Sequence, residues 1–255
     1  MNTRAQSTPQ PIELSLPQRR RADLFRWWSP KAGRMLSAAS YLEFRHLLWR
    51  EIDSTVLALC ERPLQIDAYV EGEHLKYTFD AWIRFRSGEE RFIEVKPEAA
   101  LIDGAPRRWH QIRRWCEAQG LTCDWVTDKI LAQHQMLLDN WEQALPYVSL
   151  ATRNPDPVLR DALRELFAQQ PHLTVSSIPG FLLSHDPDRV VAEVFSLLYD
   201  GEAQADLTAQ RVSRALIVHA KRDGATLARA CTPRNFSSVA TSCGRVWIAV
   251  AGDGY

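Results

Sequence analysis

The stretch Tyr77-Thr78-Phe79-Asp80-Ala81-Trp82-Ile83-Arg84-Phe85, joined through Ser87-Gly88 to Arg91-Phe92-Ile93-Glu94-Val95-Lys96-Pro97, decides how this chain is read. Ala81, Ile83 and Phe85 fall on one side of an extended segment, which predicts a strand with an apolar face. Ser87-Gly88 is a hairpin signal. Arg91 to Lys96 predicts the return strand, and Pro97 closes it. Side chains alternate across a strand, so Glu94 and Lys96 share one face while Ile93 and Val95 point the other way. Pairing of the two strands brings Asp80 beside Glu94. Two carboxylates and one amine then converge at the edge of an apolar sheet.

Further strands are predicted just before this hairpin. Leu64, Ile66, Ala68 and Val70 alternate, Glu71-Gly72-Glu73 turns the chain, and Leu75 to Phe79 continues extended. A helix precedes them, capped by Ser37 or Ser40, with Leu42, Leu47, Leu48 and Ile52 on its apolar side and Glu43 in its first turn. After Pro97 a helix from about Pro106 to Gln119 turns Trp109, Ile112 and Cys116 inward and stops at Gly120. A strand over Leu121 to Val126 and a helix over Asp128 to Leu145 follow. This order predicts an α/β fold, a mixed sheet flanked by helices.

Around that core the expected organisation has four parts. Residues 1–34 read as a basic N-terminal arm broken by prolines 9, 11, 17 and 30, and 35–148 as the α/β domain. Pro146 to Pro157 reads as a linker. Residues 155–220 read as a smaller domain: a helix over Val158 to Phe167, an ambiguous stretch over Leu173 to Leu183, a helix from Asp186-Pro187 to Leu198, and a hairpin within Glu202 to His219. Three helices and a hairpin outline a winged helix. Residues 221–255 give no reading.

Composition narrows the function. The chain has 255 residues, 45% hydrophobic and 24% charged, with 31 basic and 31 acidic residues and zero net charge. These values exclude a disordered chain and a disulfide-stapled miniprotein. Zero net charge argues against coating nucleic acid by bulk charge but leaves room for a local patch. The N-terminus has no secretory core region, no run is long enough for a membrane span, and five cysteines form no CxxC pair, so a reduced cytoplasmic protein is expected. The seven histidines do not cluster at ligand spacing, and Cys116 and Cys123 lack the second pair that zinc requires. No GxxxxGK, GxGxxG or GxSxG motif is present.

The useful chemistry of Asp80, Glu94 and Lys96 is metal-assisted phosphodiester hydrolysis. Mg²⁺ (with Mn²⁺ as a substitute) prefers oxygen ligands and keeps several waters. Asp80, Glu94 and the Val95 carbonyl supply protein ligands, and Glu43 adds another directly or through water. Lys96 then orients or deprotonates the attacking water, or stabilises the charge building on phosphate oxygens. Asp-x13-Glu-x-Lys matches the PD-(D/E)xK nuclease signature. A half-exposed hairpin can also show these residues as a solvated face of ion pairs. The apolar strand that carries Glu94 and Lys96, the turn before Asp80 and the preceding Glu-bearing helix favour the catalytic reading.

From Ser37 to about Leu131 the chain resembles the N-terminal catalytic domain of the TnsA family, endonuclease subunits of heteromeric transposases. The resemblance rests on Ser40-Tyr41-Leu42-Glu43, Glu61-Arg62-Pro63-Leu64-Gln65-Ile66, Leu75-Lys76-Tyr77-Thr78-Phe79-Asp80, Phe92-Ile93-Glu94-Val95-Lys96-Pro97 and Val126-Thr127-Asp128. It implies a restriction-endonuclease-like fold and a Mg²⁺-dependent nick at transposon 5′ ends. It also implies double-stranded DNA at those ends as substrate, an integrase-type partner transposase (TnsB-like) and an AAA+ regulator (TnsC-like). Carried over by position, Glu43, Asp80, Glu94 and Lys96 form the active-site set of a bacterial, cytoplasmic enzyme, associated with the nucleoid when active. Phe79 departs from the Pro of the signature. The founding family member has Gln at the position of Glu94.

On the helix after the Glu94 strand, Arg107, Gln111 and Arg114 fall on one side, with Arg108 adjacent. In a nuclease this side holds phosphates; alternatively it is a solubilising face. The arm, with Arg19-Arg20-Arg21, Arg26, Lys31 and Arg34 around Trp27-Trp28, contacts DNA or the partner transposase, or is a tail with an apolar latch. Two rival functions stand beside the transposition reading: a defence or repair nuclease acting alone, and a catalytically idle DNA-binding or assembly module.

Overall fold

A computed structural model describes residues 8–101 and 105–221; the 221–255 tail of the sequence reading therefore lies, apart from its first residue, outside the described residues. These fold as two compact units. The first holds 8–26 and 35–133, and the second 27–34 and 134–221. In chain order the elements are α1 (Leu16–Arg21), β1 (Phe25–Ser29), β2 (Arg34–Ala38), α2 (Tyr41–Ile52), β3 (Val56–Glu61), β4 (Gln65–Val70), β5 (Glu73–Thr78), β6 (Ala81–Phe85), β7 (Glu90–Lys96), α3 (Ala105–Ala118), β8 (Cys123–Thr127) and α4 (Asp128–Ala132). Then come α5 (Gln135–Arg153), α6 (Pro157–Gln169), β9 (His172–Thr174), α7 (Pro187–Tyr199), β10 (Ala203–Gln204) and β11 (Ile217–Ala220).

The first unit is built on a four-stranded sheet in the order β3-β6-β7-β8. β6 pairs antiparallel with both β3 and β7, whereas β7 pairs parallel with β8. A parallel neighbour needs a crossover, and α3 supplies it. β4 and β5 form a separate two-stranded ribbon. The expected mixed sheet flanked by helices is present. One core cluster joins Cys60, Ile66, Leu75, Tyr77, Phe79, Trp82 and Phe92 to Ile112 and Cys116 of α3. Phe92 packs in this cluster, so the β7 face that carries Glu94 and Lys96 is the α3 face.

Helix α2 starts where a serine permits it. Ser40 accepts the Glu43 N–H (3.2 Å), and Glu43 reaches back to the Ala39 N–H (2.9 Å) and the Ser40 hydroxyl (3.0 Å). This is a variant of the capping box. From Phe44 to Glu51 every residue of α2 is buried, polar ones included. His46 is fully enclosed with neither ring nitrogen bonded, and burial holds its pKa well below the usual value.

Three differences from the sequence reading have physical causes. Part of the proposed arm is β structure: β1 and β2 form a hairpin turned at Gly33, whose φ is 62° and whose N–H reaches Ser29 O at 2.9 Å. Within the second unit Trp28 is held by the Ser149 hydroxyl (3.3 Å) and by the Arg153 guanidinium, 5.3 Å from its ring. Second, α5 runs through Pro146 to Arg153, where a linker is expected. Proline forfeits one N–H, and Ala144, Leu145, Val148 and Ala151 keep the apolar face buried. Third, the expected hairpin of 202–219 has short strands with a long connection. Asn140 ties that connection down, donating to Leu207 O and Gln210 O and accepting the Val212 N–H. The small sheet runs in the order β10-β11-β9, antiparallel throughout.

Candidate active site

Asp80 sits in the two-residue link between β5 and β6. Its backbone is fixed on both sides: its N–H donates to Ile93 O (3.0 Å) and its carbonyl accepts the Arg62 N–H (2.9 Å). One carboxylate oxygen accepts the Val95 N–H at 2.7 Å. The register pairs Ala81 with Ile93, so Asp80 lies one step along the ladder, beside Glu94. Phe79, at the signature's proline position, is fully buried against Tyr77 and Phe92. Its N–H donates to Leu64 O (3.1 Å), a bond proline cannot make.

Glu94 is only 2% exposed, on the strand between β6 and β8. One of its oxygens meets Lys96 Nζ at 2.6 Å, while Oε2 is buried without a hydrogen-bond partner. A carboxylate oxygen in that condition is costly unless something positive arrives. Lys96 remains half-exposed, its ammonium reaching the open side of the site.

The charges are coupled. Burial, and then the charge of Glu43, pushes the Asp80 carboxyl up to about 7; the Val95 N–H, Lys96 and Arg62 pull it back only in part. Burial likewise pushes Glu94 up to about 7 against the pull of Lys96. Burial acting alone lowers the Lys96 pKa, but Glu94, followed by Asp80 and Glu43, outweighs it and raises the pKa. Glu43, Asp80, Glu94 and Lys96, from α2, the β5–β6 link and β7, thus act on one another within one pocket of charge. Three carboxylates face one ammonium. The donor set is all oxygen, which suits a hard divalent cation, and Glu94 Oε2 is the open donor. Among the described residues no group of three or more Asp, Glu, His or Cys side chains is arranged to hold a metal ion, so Glu43, Asp80 and Glu94 do not form a ready-made three-carboxylate cage.

The α3 residues divide. Arg107 pairs with Glu73, and Gln111 donates to the same carboxylate at 2.7 Å. Arg114 lies 3.5 Å from Glu71. These three hold the β4–β5 ribbon. Arg108 donates to Lys76 O (2.6 Å), lies over the Tyr77 ring, and is the one among the four whose charge acts on Glu94. Trp109 and Trp125 pack nearby as a tilted pair with centroids 4.7 Å apart, Trp125 standing opposite Glu94 in the β7–β8 register.

Two features escape the sequence reading. Arg62, 9% exposed, stands in the turn after β3, where its charge acts on Asp80, and only a long-range contact gives it away. His172 and His219 meet across β9 and β11 with Nδ1 atoms 2.5 Å apart. They lie 47 residues apart in sequence, so no spacing rule finds them. No group of three or more metal-binding side chains includes this pair among the described residues.

Comparison with known families gives one match: residues 53–128 fit the family model of the TnsA-like endonuclease N-terminal domain. No curated protein matches the chain. The matched span contains Asp80, Glu94 and Lys96 and leaves Glu43 outside. It implies nuclease activity for this chain. No helix among the described residues is long and apolar enough to cross a membrane.

Proposed function

We propose that this chain, which carries a TnsA-like endonuclease domain at residues 53–128, is the Mg²⁺-dependent DNA-cleaving subunit of a heteromeric transposase that nicks the 5′ strands at transposon ends. The observation that supports the reading is a buried Glu94, its Oε2 without a hydrogen-bond partner, whose other oxygen pairs with Lys96, an ammonium that also feels the buried Asp80 carboxylate.

Asp80 and Glu94 would hold the cation, with Glu43 reaching it directly or through water and the Val95 carbonyl completing the protein donors. When bound, Mg²⁺, or Mn²⁺ in its place, supplies Lewis-acid polarisation of the scissile phosphate and a more acidic water. The protein's own groups do the rest. The Val95 N–H fixes the rotation of the Asp80 carboxylate. Glu94, enclosed by the sheet, keeps bulk water from one side. Lys96, held protonated by its carboxylate neighbours, donates to the attacking water or to the phosphate oxygens. Arg108 extends positive charge from this centre along α3 and contacts a phosphate flanking the cut.

After α5 the second unit runs helix α6, strand β9, a 3-10 turn over Ile178–Phe181, helix α7, then β10 and β11, with sheet order β9-β11-β10. That order supports a winged-helix-like domain, which we assign to contact with the AAA+ regulator or DNA. The integrase-type transposase is the other partner. Reconstitution with the transposase encoded beside it, on DNA bearing the element's ends, tests the proposal. Nicking that requires Mg²⁺ and vanishes in Asp80→Ala and Lys96→Ala is expected; nicking unchanged in both variants overturns the assignment.

A further inference from the structure

Arg62 holds together three segments that are distant in sequence. Its Nε donates to Ile12 O (2.8 Å), one terminal nitrogen to Ser37 O (2.7 Å) and the other to Ser37 Oγ (2.8 Å). Its backbone N–H donates to Asp80 O (2.9 Å), and its carbonyl accepts the Ile12 N–H (2.9 Å). Both hydrogen-bonding edges of the guanidinium fork are therefore used, a geometry lysine does not reproduce. The residue is buried and has a φ of 43°, in the left-handed region that residues with a Cβ rarely adopt. Such a conformation persists where the surroundings demand it.

The acceptors lead to the candidate site from two directions. Ser37 lies two residues before Ala39, whose N–H holds the Glu43 carboxylate at 2.9 Å. Asp80 carries the carboxylate oriented by Val95. We infer that Arg62 is a positioning residue: it sets the separation of the Glu43 and Asp80 carboxylates by clamping their two segments, and latches the chain at Ile12 to the same point. The inference rests on the metal-site reading above. Arg62 touches none of the reacting groups and acts through Ser37 and Asp80. Groups that orient metal-binding side chains in this way typically alter affinity about 10- to 100-fold when removed.

The test is calorimetric titration of Mn²⁺ into the full chain, well below its unfolding midpoint. Wild type, Arg62→Lys, Ser37→Ala, the double variant and Asp80→Ala are compared. Ile112→Val, a core change in the same unit, controls for loss of stability alone. Arg62→Lys is expected to weaken Mn²⁺ binding about tenfold. Ser37→Ala should weaken it less, and the double variant no further than Arg62→Lys, because both act through one contact. Ile112→Val should leave the affinity alone. Affinity in Arg62→Lys within twofold of wild type overturns the clamp while the metal site stands. If Arg62→Lys does not fold, Ser37→Ala decides, and wild-type affinity there overturns it equally. Absent Mn²⁺ uptake by wild type, or uptake unchanged in Asp80→Ala, overturns the metal-site reading and the inference with it.

Discussion

Asp80 and Glu94 are held where an anion is poorly tolerated, and this has a measurable sign. Both carboxyls have folded-state pKa values raised to about 7, against roughly 4 in an unfolded chain. Their contribution to stability is complete below pH 4 and is lost as pH rises through 7. Asp80→Asn keeps an acceptor for the Val95 N–H and sheds the charge. It should match wild type near pH 4 and exceed it by on the order of 4 kcal/mol at pH 8 in metal-free buffer, read as unfolding midpoints across pH. Addition of Mn²⁺ should reverse the ranking, since wild type gains from binding and the variant does not. A constant gap at all pH values rules out the buried charge as its cause. Lys96→Ala separates binding from chemistry. Cleavage in the reconstituted complex should fall by about 10²–10³-fold, as for loss of one charge-stabilising donor, while Mn²⁺ affinity is not reduced. Reduced affinity instead would make Lys96 part of the binding geometry.

At the scale of elements, the hairpin of β6 and β7 was the legible part. Its alternation, its Ser87-Gly88 turn and its closing Pro97 are all local signals, and local signals suffice to put Glu94 and Lys96 on one face. Gly88 has a φ of 89°, so Gly88→Ala should cost about 1 kcal/mol in denaturant unfolding. Ser40→Ala should cost a similar amount, about 1 kcal/mol, through the cap of α2. It should also loosen Glu43, which a weaker Mn²⁺ affinity would report. Strand β3 was invisible because Val56, Leu59, Cys60 and Glu61 are all buried and leave no alternation to read. The β1–β2 hairpin hid among prolines and arginines. The continuation of α5 past Pro146 depends on burial of its apolar face, which is a tertiary fact. Arg62 belongs to the same class, since its partners at Ile12, Ser37 and Asp80 are fixed only by the fold.

For the whole molecule, balance of charge limits how DNA can be held. The chain has 31 basic and 31 acidic residues, and among the described residues Arg84, Arg91, Arg107, Arg114 and Arg164 all face carboxylates. In the second unit Arg160 alone engages Glu193, Asp200 and Glu202. Cations held in such pairs are poor partners for phosphates, so the affinity of the isolated chain for duplex DNA should fall only shallowly with salt. A plot of log K against log salt should have a slope equivalent to about three or four phosphates. A slope near eight would reveal a basic surface that the paired charges do not suggest. The closely packed indoles of Trp109 and Trp125 offer a way to watch all this without labels. They bridge the helix bearing Arg108 and the strand opposite Glu94, so a small slide between those elements changes the electronic coupling of the two rings. Near-ultraviolet ellipticity and intrinsic emission then become a built-in gauge of occupancy, readable in solution and in real time.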